Sequence, residues 1–330
     1  MSDASLKKVL KTINDEFDLS IQRLGDSEWP KIERIPSGSL ALDQALGGGW
    51  PRSRVVEIFG MESSGKTLLS LHTIAQAQKL GGRCAFFDVE YAFDPVHASN
   101  HGVDVDELLL ARPEYGEQAL EAVIKLCESN EFDVIVVDSV PSLIPKAMVE
   151  SGLEDQHYAL LAKLMSSTMQ KITPVVGNSK TLLIFINQLR KSMNPYGNPF
   201  VKPGGMALDF YSSIIVQAKK ESKSERLDPD TKYVIGHDIG VKVTKNKTAS
   251  PFREAIVPIN YKTGILLDRD FIEAAKSKRL LVFSGGRVAY TGSNEKIKAF
   301  TFASWEDAVK WTTDPSQAEI VAALRQEIVA

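Results

Sequence analysis

Apolar residues fall along this chain in short blocks whose spacing switches between two kinds. Val55, Val56, Ile58 and Phe59 form one near-continuous run, and Cys84 to Phe87, Val134 to Val137 and Leu182 to Ile186 form others. Runs of this length bounded by turn residues read as buried strands. Between them, Leu68, Leu69, Leu71, Ile74 and Ala75 recur at helical spacing, as do stretches over 116–128 and 159–172. Strands alternating with helices predict an α/β fold, a central mostly parallel sheet flanked by helices. Further strand-like runs at 213–218, 239–243 and 255–259 are separated by a charged, turn-rich stretch and predict an extension of the sheet with hairpins. Ahead of this core, Leu6, Val9, Leu10, Ile13 and Phe17 predict one amphipathic helix in an appended N-terminal piece, 1–33, suited to packing on its own core or on a neighbouring subunit. The core then spans 34–267. From 268 to 330 the pattern becomes helix, short strand, helix, which predicts a small C-terminal α/β module.

The first strand ends in Gly60-Met61-Glu62-Ser63-Ser64-Gly65-Lys66-Thr67, and a helix opens directly after it at Leu68. Strand, G-x-x-x-x-G-K-[ST] and helix in this order make a phosphate-binding loop. The two glycines let backbone N–H groups turn inward around a phosphate, and the helix N-terminus adds partial positive charge. Lys66 reaches β- and γ-phosphates in such a loop, and the Thr67 hydroxyl sits on Mg²⁺. Two later strands end in acids. One carries Asp88 and Glu90, either of which suits polarising a water or capping the next turn. The other ends at Asp138, the form expected of a Mg²⁺-organising carboxylate opposite a phosphate loop. A third strand ends in two amides, Asn187 and Gln188.

After Gln188 comes a long proline- and glycine-rich loop over 189–204, in which Arg190, Lys191 and Lys202 alternate with the aromatics Tyr196 and Phe200. A structureless loop of this length inside a domain is functional or disordered. Cations interleaved with aromatics suit single-stranded nucleic acid, which offers phosphates and unstacked bases; an ordinary mobile surface loop fits the composition too. Lys245 and Lys247 follow a strand, as a solvated end or as a reach toward a neighbour's nucleotide.

Composition narrows the class only a little. Hydrophobic content of 43%, charged content of 25% and a formal net charge of −3 are those of a globular protein without a global cationic field. Nucleic acid would have to meet a local patch. One candidate lies between Lys276 and Lys298, where six Lys/Arg accompany one Glu, a balance of +5; a patch of that kind collects duplex DNA through its phosphates or is a solvated face. Cys84 and Cys127 lack metal-ligand spacing and read as structural thiols of a reducing compartment. The start has no signal-peptide run and no segment has the length of a membrane span, so a cytoplasmic protein with no membrane partner is expected.

Taken together, the stretches IPSGSLALDQALGGGWP, VEIFGMESSGKTLL, CAFFDVEYAFDP, GVDVDELL, GEQALE, FDVIVVDSV, TLLIFINQLR, GGMALDFYSS and VKVTKNKTASPF resemble the bacterial-type RecA recombinase family over nearly the whole chain. The resemblance implies a DNA-dependent ATPase that uses ATP and Mg²⁺ to form a helical filament on single-stranded DNA. Such a filament pairs with homologous double-stranded DNA and exchanges strands in recombination and repair. It also implies roles by position. Gly60 to Thr67 and Leu68 bind the nucleotide, Asp94 and His97 lie at its adenine, and Thr67 and Asp138 hold the metal. Glu90 is the acid that activates water, and Gln188 senses the γ-phosphate. Lys245 and Lys247 reach a neighbour's ATP, and Phe210 contacts a subunit. Loops near 151–158 and 189–204 bind DNA, through Tyr158, Lys163, Arg190, Lys191, Tyr196, Asn198, Lys202, Gly204 and Gly205. Besides DNA and further copies of the chain, the implied partners are a LexA-like repressor and mediator or single-strand-binding proteins.

The chain departs from the family pattern at several points. His97 replaces a common tyrosine, Tyr158 a methionine-like side chain, and Lys163 and Gln170 stand where arginine is frequent. The second loop is about one residue shorter, with Tyr196 as its aromatic lever. The chain ends QEIVA without a strongly acidic tail, from which less self-inhibition of DNA loading is expected. These departures point to a divergent or phage-borne member. Two other readings share parts of the motif set: a ring-forming helicase of the same fold, and a nucleotide-switched DNA-binding scaffold without strand exchange.

Overall fold

Each apolar run becomes a strand because its side chains alternate between two helix layers. The computed structural model describes residues 3–18, 20, 21, 23, 25, 31–151, 158–191, 199–222, 224–284, 287–292, 301, 302 and 305–329. Its main sheet has ten strands. They run in the order Gly264–Ile265, Glu254–Asn260, Val234–Asn246, Ile214–Lys220, Arg54–Gly60, Leu182–Gln188, Phe132–Asp138, Arg83–Asp88 and Leu108–Ala111, with Arg226–Leu227 paired to Val234–Asn246. From Ile214–Lys220 to Leu108–Ala111 all neighbours are parallel. The remaining strands make an antiparallel wing.

Period-two alternation sorts the core. Val56, Ile58, Val134, Val136, Leu182 and Ile184 share one cluster with Leu69, Leu71 and Ile74 of the helix Lys66–Lys79. Val55, Ile135, Val137, Leu183 and Phe185 share the other with apolar residues of the helices Gly116–Glu128 and Tyr158–Gly177. Each such side chain contributes about 1.5–3 kcal/mol on burial. Glu57 falls on the second face with 0% exposure, a polar interruption of an apolar strand. Cys84 and Cys127 are buried, and burial pushes each thiol up to about 12, consistent with inert structural residues.

Several elements run longer than their apolar pattern. The helix expected over 159–172 spans Tyr158–Gly177, with Pro174 tolerated in its last turns. The strand expected over 239–243 spans Val234–Asn246, since the polar residues His237 and Asp238 continue the pairing without continuing the apolar run. Leu108–Ala111 is an edge strand that the pattern did not single out. None of the helices among the described residues is long and apolar enough to cross a membrane.

Residues Met1–Glu33 form one compact unit and Arg34–Ala330 a second. In the first, the helix Asp3–Phe17 is followed by a reciprocal pair of hydrogen bonds: the Asn14 amide donates to the Ile21 carbonyl at 3.1 Å and accepts from the Ile21 N–H at 2.8 Å. In the second, the helix Leu267–Ser277 is followed by a three-stranded sheet of Leu281–Ser284, Arg287–Tyr290 and Thr301–Phe302, then the helices Trp305–Thr313 and Ala318–Val329. Within the basic stretch from Lys276, Lys296 and Lys298 lie outside the described residues.

Asp270, on the helix Leu267–Ser277, ties this C-terminal part to the helix Leu40–Leu46. Its carboxylate accepts from the Ser39 hydroxyl and from the Leu40 N–H, each at 2.5 Å, while Ser39 itself caps Leu42 N–H. Burial pushes the Asp270 carboxyl up to about 7 from an ordinary 3.8. A carboxyl whose folded pKa lies above its unfolded one holds its proton better in the folded state. Its contribution to stability is therefore complete below about pH 3.8 and is lost as pH rises through about 7. Melting curves from pH 4 to 8 are expected to show a flatter loss of stability for Asp270→Asn than for the wild type; parallel curves would contradict this.

Candidate functional site

The carboxyl ends of the parallel strands bring the motif residues to one edge. Gly60 pairs with Gln188, Ile186 with Asp138, and Asp138 with Asp88. Ligands of open parallel sheets bind in the crevice outside this edge.

At the phosphate loop, Gly65 has φ +86, and a Cβ there would stand 2.2 Å from Ile239 Cδ1. A Cβ on Gly60 would stand 2.1 Å from the Ala218 carbonyl oxygen. Close approach thus requires glycine at both positions, and the positive φ requires it at Gly65 a second time. Lys66 Nζ donates to the Met61 carbonyl at 2.8 Å, and the Thr67 hydroxyl donates to Asp138 Oδ2 at 2.7 Å. Burial lowers the Lys66 pKa, opposed by Asp138 and Glu90. Burial pushes Asp138 up to about 6 against the Thr67 hydrogen bond. The Ser64 hydroxyl is buried without a hydrogen-bond partner among the described residues. A glycine-walled cradle, an orphaned buried hydroxyl, and a hydroxyl–carboxylate pair of hard oxygen donors fit a triphosphate and Mg²⁺. The Leu68 side chain is 7% exposed and packs in the core, so only its backbone is free for phosphate.

The tie between the two strand-end acids resolves by their partners. Asp88 accepts from the Ala92 and Phe93 N–H groups at 2.9 and 3.1 Å and pairs with Arg112 Nε at 3.0 Å, so it shapes the next turn. Glu90 is exposed, and its Oε1 accepts from Gln188 Nε2 at 2.8 Å and from the Ser139 hydroxyl. Of the two, it is the acid free to face a ligand.

A cleft of about 350 Å³ runs from residues Ser63 to Leu68 past His97 to His237, Ile259 and Tyr261. Tyr261 hydroxyl and His237 Nδ1 are 3.0 Å apart, and His237 Nε2 is buried without a partner among the described residues. His97 lies edge-on to buried His101, with ring centroids 4.3 Å and Nε2 atoms 3.2 Å apart. Asp94 caps the helix Pro95–Asn100 by accepting from Val96 N–H at 2.8 Å. His237 and Tyr261 escaped the sequence reading. They lie on the antiparallel wing, far along the chain, and no motif marks them.

The loop over 189–204 is less structureless than its composition suggests. Arg190 pairs with Val201 and Lys191 with Phe200, so its two arms form a short antiparallel ribbon that leaves the sheet directly after Gln188. Arg190 and Lys191 are exposed. Tyr196 and Asn198 lie outside the described residues, as do residues 152–157 of the first loop. Tyr158 opens the helix that carries exposed Lys163. Gly204 packs closely on Val140 and Met165, and Gly205 on Ala162.

Lys202, expected on DNA, is turned inward. Its ammonium pairs with Glu57 at 2.6 Å and Asp209 at 2.5 Å, leaving its side chain 14% exposed. The buried Glu57 carboxylate draws it there, an attraction the loop composition does not disclose. Lys245 Nζ donates to the carbonyls of Asp209 and Phe210 at 2.5 and 3.0 Å, at the end of the helix Ala207–Tyr211. Lys247 is exposed, and Phe210 is 66% exposed.

A family model described as the RecA N-terminal domain matches residues 4–266. A protein named Protein RecA from Oceanobacillus iheyensis is 46% identical over 90% of this chain and 85% of its own. Proteins of the same name from Bacillus subtilis and Streptococcus agalactiae are 45% and 44% identical, over 88% and 89% of this chain and 84% and 78% of theirs. With the phosphate loop, the paired Glu90 and Gln188 and the arms beyond them in place, this chain belongs to the RecA family.

Proposed function

We propose that the protein is a DNA-dependent ATPase that polymerises on single-stranded DNA and pairs it with a homologous duplex in recombinational repair. One observation carries this reading: Gln188 donates to Glu90 at the catalytic edge and is itself the root of the 189–204 arms. A phosphate-facing group and a nucleic-acid-facing loop thereby meet at one residue. Mg²⁺–ATP supplies the transferable phosphoryl group and the cation that neutralises its charge. The amides of Gly60 to Thr67 bind the phosphates, Lys66 adds a point charge, and Thr67 and Asp138 hold the metal. Glu90 orients water and takes its proton at Oε1 or Oε2. The Gln188 amide has two partners to choose between, Glu90 and the γ-phosphate end, which makes it a two-state element whose position sets the ribbon arms. Asp94 and His97 flank the base. Phe210, Lys245 and Lys247 serve the contact with a second copy.

Glu90→Gln is expected to keep nucleotide binding while cutting turnover by about 10²–10⁴-fold; rapid hydrolysis by that variant removes Glu90 as the base. Lys245→Ala combined with Lys247→Ala is expected to depress DNA-stimulated hydrolysis more than nucleotide binding by the monomer, and an unaffected stimulated rate rules out their action across an interface. The test of the function as a whole is ATP hydrolysis with and without long single-stranded DNA, with electron microscopy of the same samples. Strong stimulation with open helical filaments is the expected result. Closed rings would favour a helicase, and filaments without stimulation a scaffold.

A further inference from the structure

Glu57 and Lys202 are 145 residues apart and meet inside the protein. Glu57 stands on the strand that leads into the phosphate loop, with 0% exposure among apolar neighbours. Lys202 stands on the returning arm of the 189–204 loop, its ammonium 4.6 Å from the centre of the Phe59 ring. An ammonium has three donors, and two of them go to Glu57 and to Asp209 of the helix Ala207–Tyr211. Asn187 fastens the same arm a second time, donating to Glu57 Oε1 at 2.9 Å and to the Pro203 carbonyl at 3.2 Å. Its own side-chain oxygen accepts from the Gln188 N–H at 2.9 Å. Glu90, Gln188, Asn187, Glu57, Lys202, Asp209 and Lys245 are therefore joined in one unbroken series of polar contacts.

We propose that Lys202 is a positioning residue, not a DNA contact: it clamps the returning loop arm and the helix Ala207–Tyr211 to the phosphate-loop strand, and so links Gln188 to Lys245. The proposal rests on the recombinase reading for what is linked, and on the geometry for the clamp. A contact with DNA phosphate would need the ammonium in solvent, whereas here two carboxylates hold it inside. Charge-assisted bonds of this kind are strong and directional, so movement of the arm is transmitted to the helix end on which Lys245 rests.

The test uses full-length protein carrying Lys202→Met, alone and with Glu57→Gln. The second change removes the buried charge that the first strands, and so separates folding from linkage. Lys202→Met is expected to lower DNA-stimulated kcat about tenfold, within the usual range for coupling between sites. The DNA concentration for half-stimulation and its salt dependence should hold. The double variant should recover the melting temperature but not the stimulated kcat. A salt slope reduced by about one would make Lys202 a phosphate contact, and recovery of kcat together with stability would make the pair merely structural; either overturns the proposal. If the wild type itself is not stimulated by DNA, the recombinase reading fails instead, and amide hydrogen exchange of the free protein decides the clamp. Faster exchange at Ala207–Tyr211 and at Arg190–Lys191 in Lys202→Met supports it, and wild-type rates at both overturn it.

Discussion

The parallel register between Arg54–Gly60 and Leu182–Gln188 is the constraint on which the rest depends. It sets Gly60 beside Gln188, so the phosphate loop and the amide leave the sheet from one point. A slip of one residue would turn every side chain to the opposite face, moving Val56 and Ile58 off the layer of the helix Lys66–Lys79 and carrying Glu57 away from Lys202. The apolar alternation that builds the two core layers is therefore also what aligns the chemistry. Pairing of Phe132–Asp138 with Leu182–Gln188 extends the same logic to Asp138, which reaches Thr67 across the edge.

Three buried acids on this framework answer the same desolvation problem in different ways. Asp270 accepts a hydroxyl and a backbone N–H and holds two helices together. Glu57 has a full cation in Lys202 and an amide in Asn187. Asp138 at the strand end accepts from the Thr67 hydroxyl with Lys66 nearby, and burial pushes its carboxyl up to about 6. A hydroxyl and an N–H, a full cation, and a hydroxyl beside a lysine are thus three different answers to one desolvation cost.

Much of this was readable in the sequence. The strand–loop–helix of the phosphate loop, the acid ending Phe132–Asp138 and the amide ending Leu182–Gln188 all follow from local pattern, because each depends on a few neighbouring residues. Asp88 and Glu90 did not separate by pattern, since what divides them is a set of partners, Ala92, Phe93 and Arg112 against Ser139 and Gln188, that only folding assembles. The inward turn of Lys202 was hidden for the opposite reason. Its neighbours in sequence are those of an exposed basic loop, but its neighbours in space are two carboxylates. The signal that existed was Glu57, an acid in an apolar strand, which demands a cation from somewhere. His237 and Tyr261 offered no comparable signal, since polar residues on an antiparallel wing are ordinary.

The tight fit of Gly60 against the Ala218 carbonyl and of Gly65 against Ile239 divides the cleft into two zones of different mutability. At the two glycines no side chain can be added without displacing the strand Ile214–Lys220 or Ile239 of the wing. Beyond the phosphate loop and Leu68, the cleft is lined by His97, His237, Ile259 and Tyr261, of which His237 and Ile259 are buried while His97 and Tyr261 are exposed. On the proposed nucleotide reading, ligand preference is adjusted from the side of exposed His97 and Tyr261 rather than at the glycines.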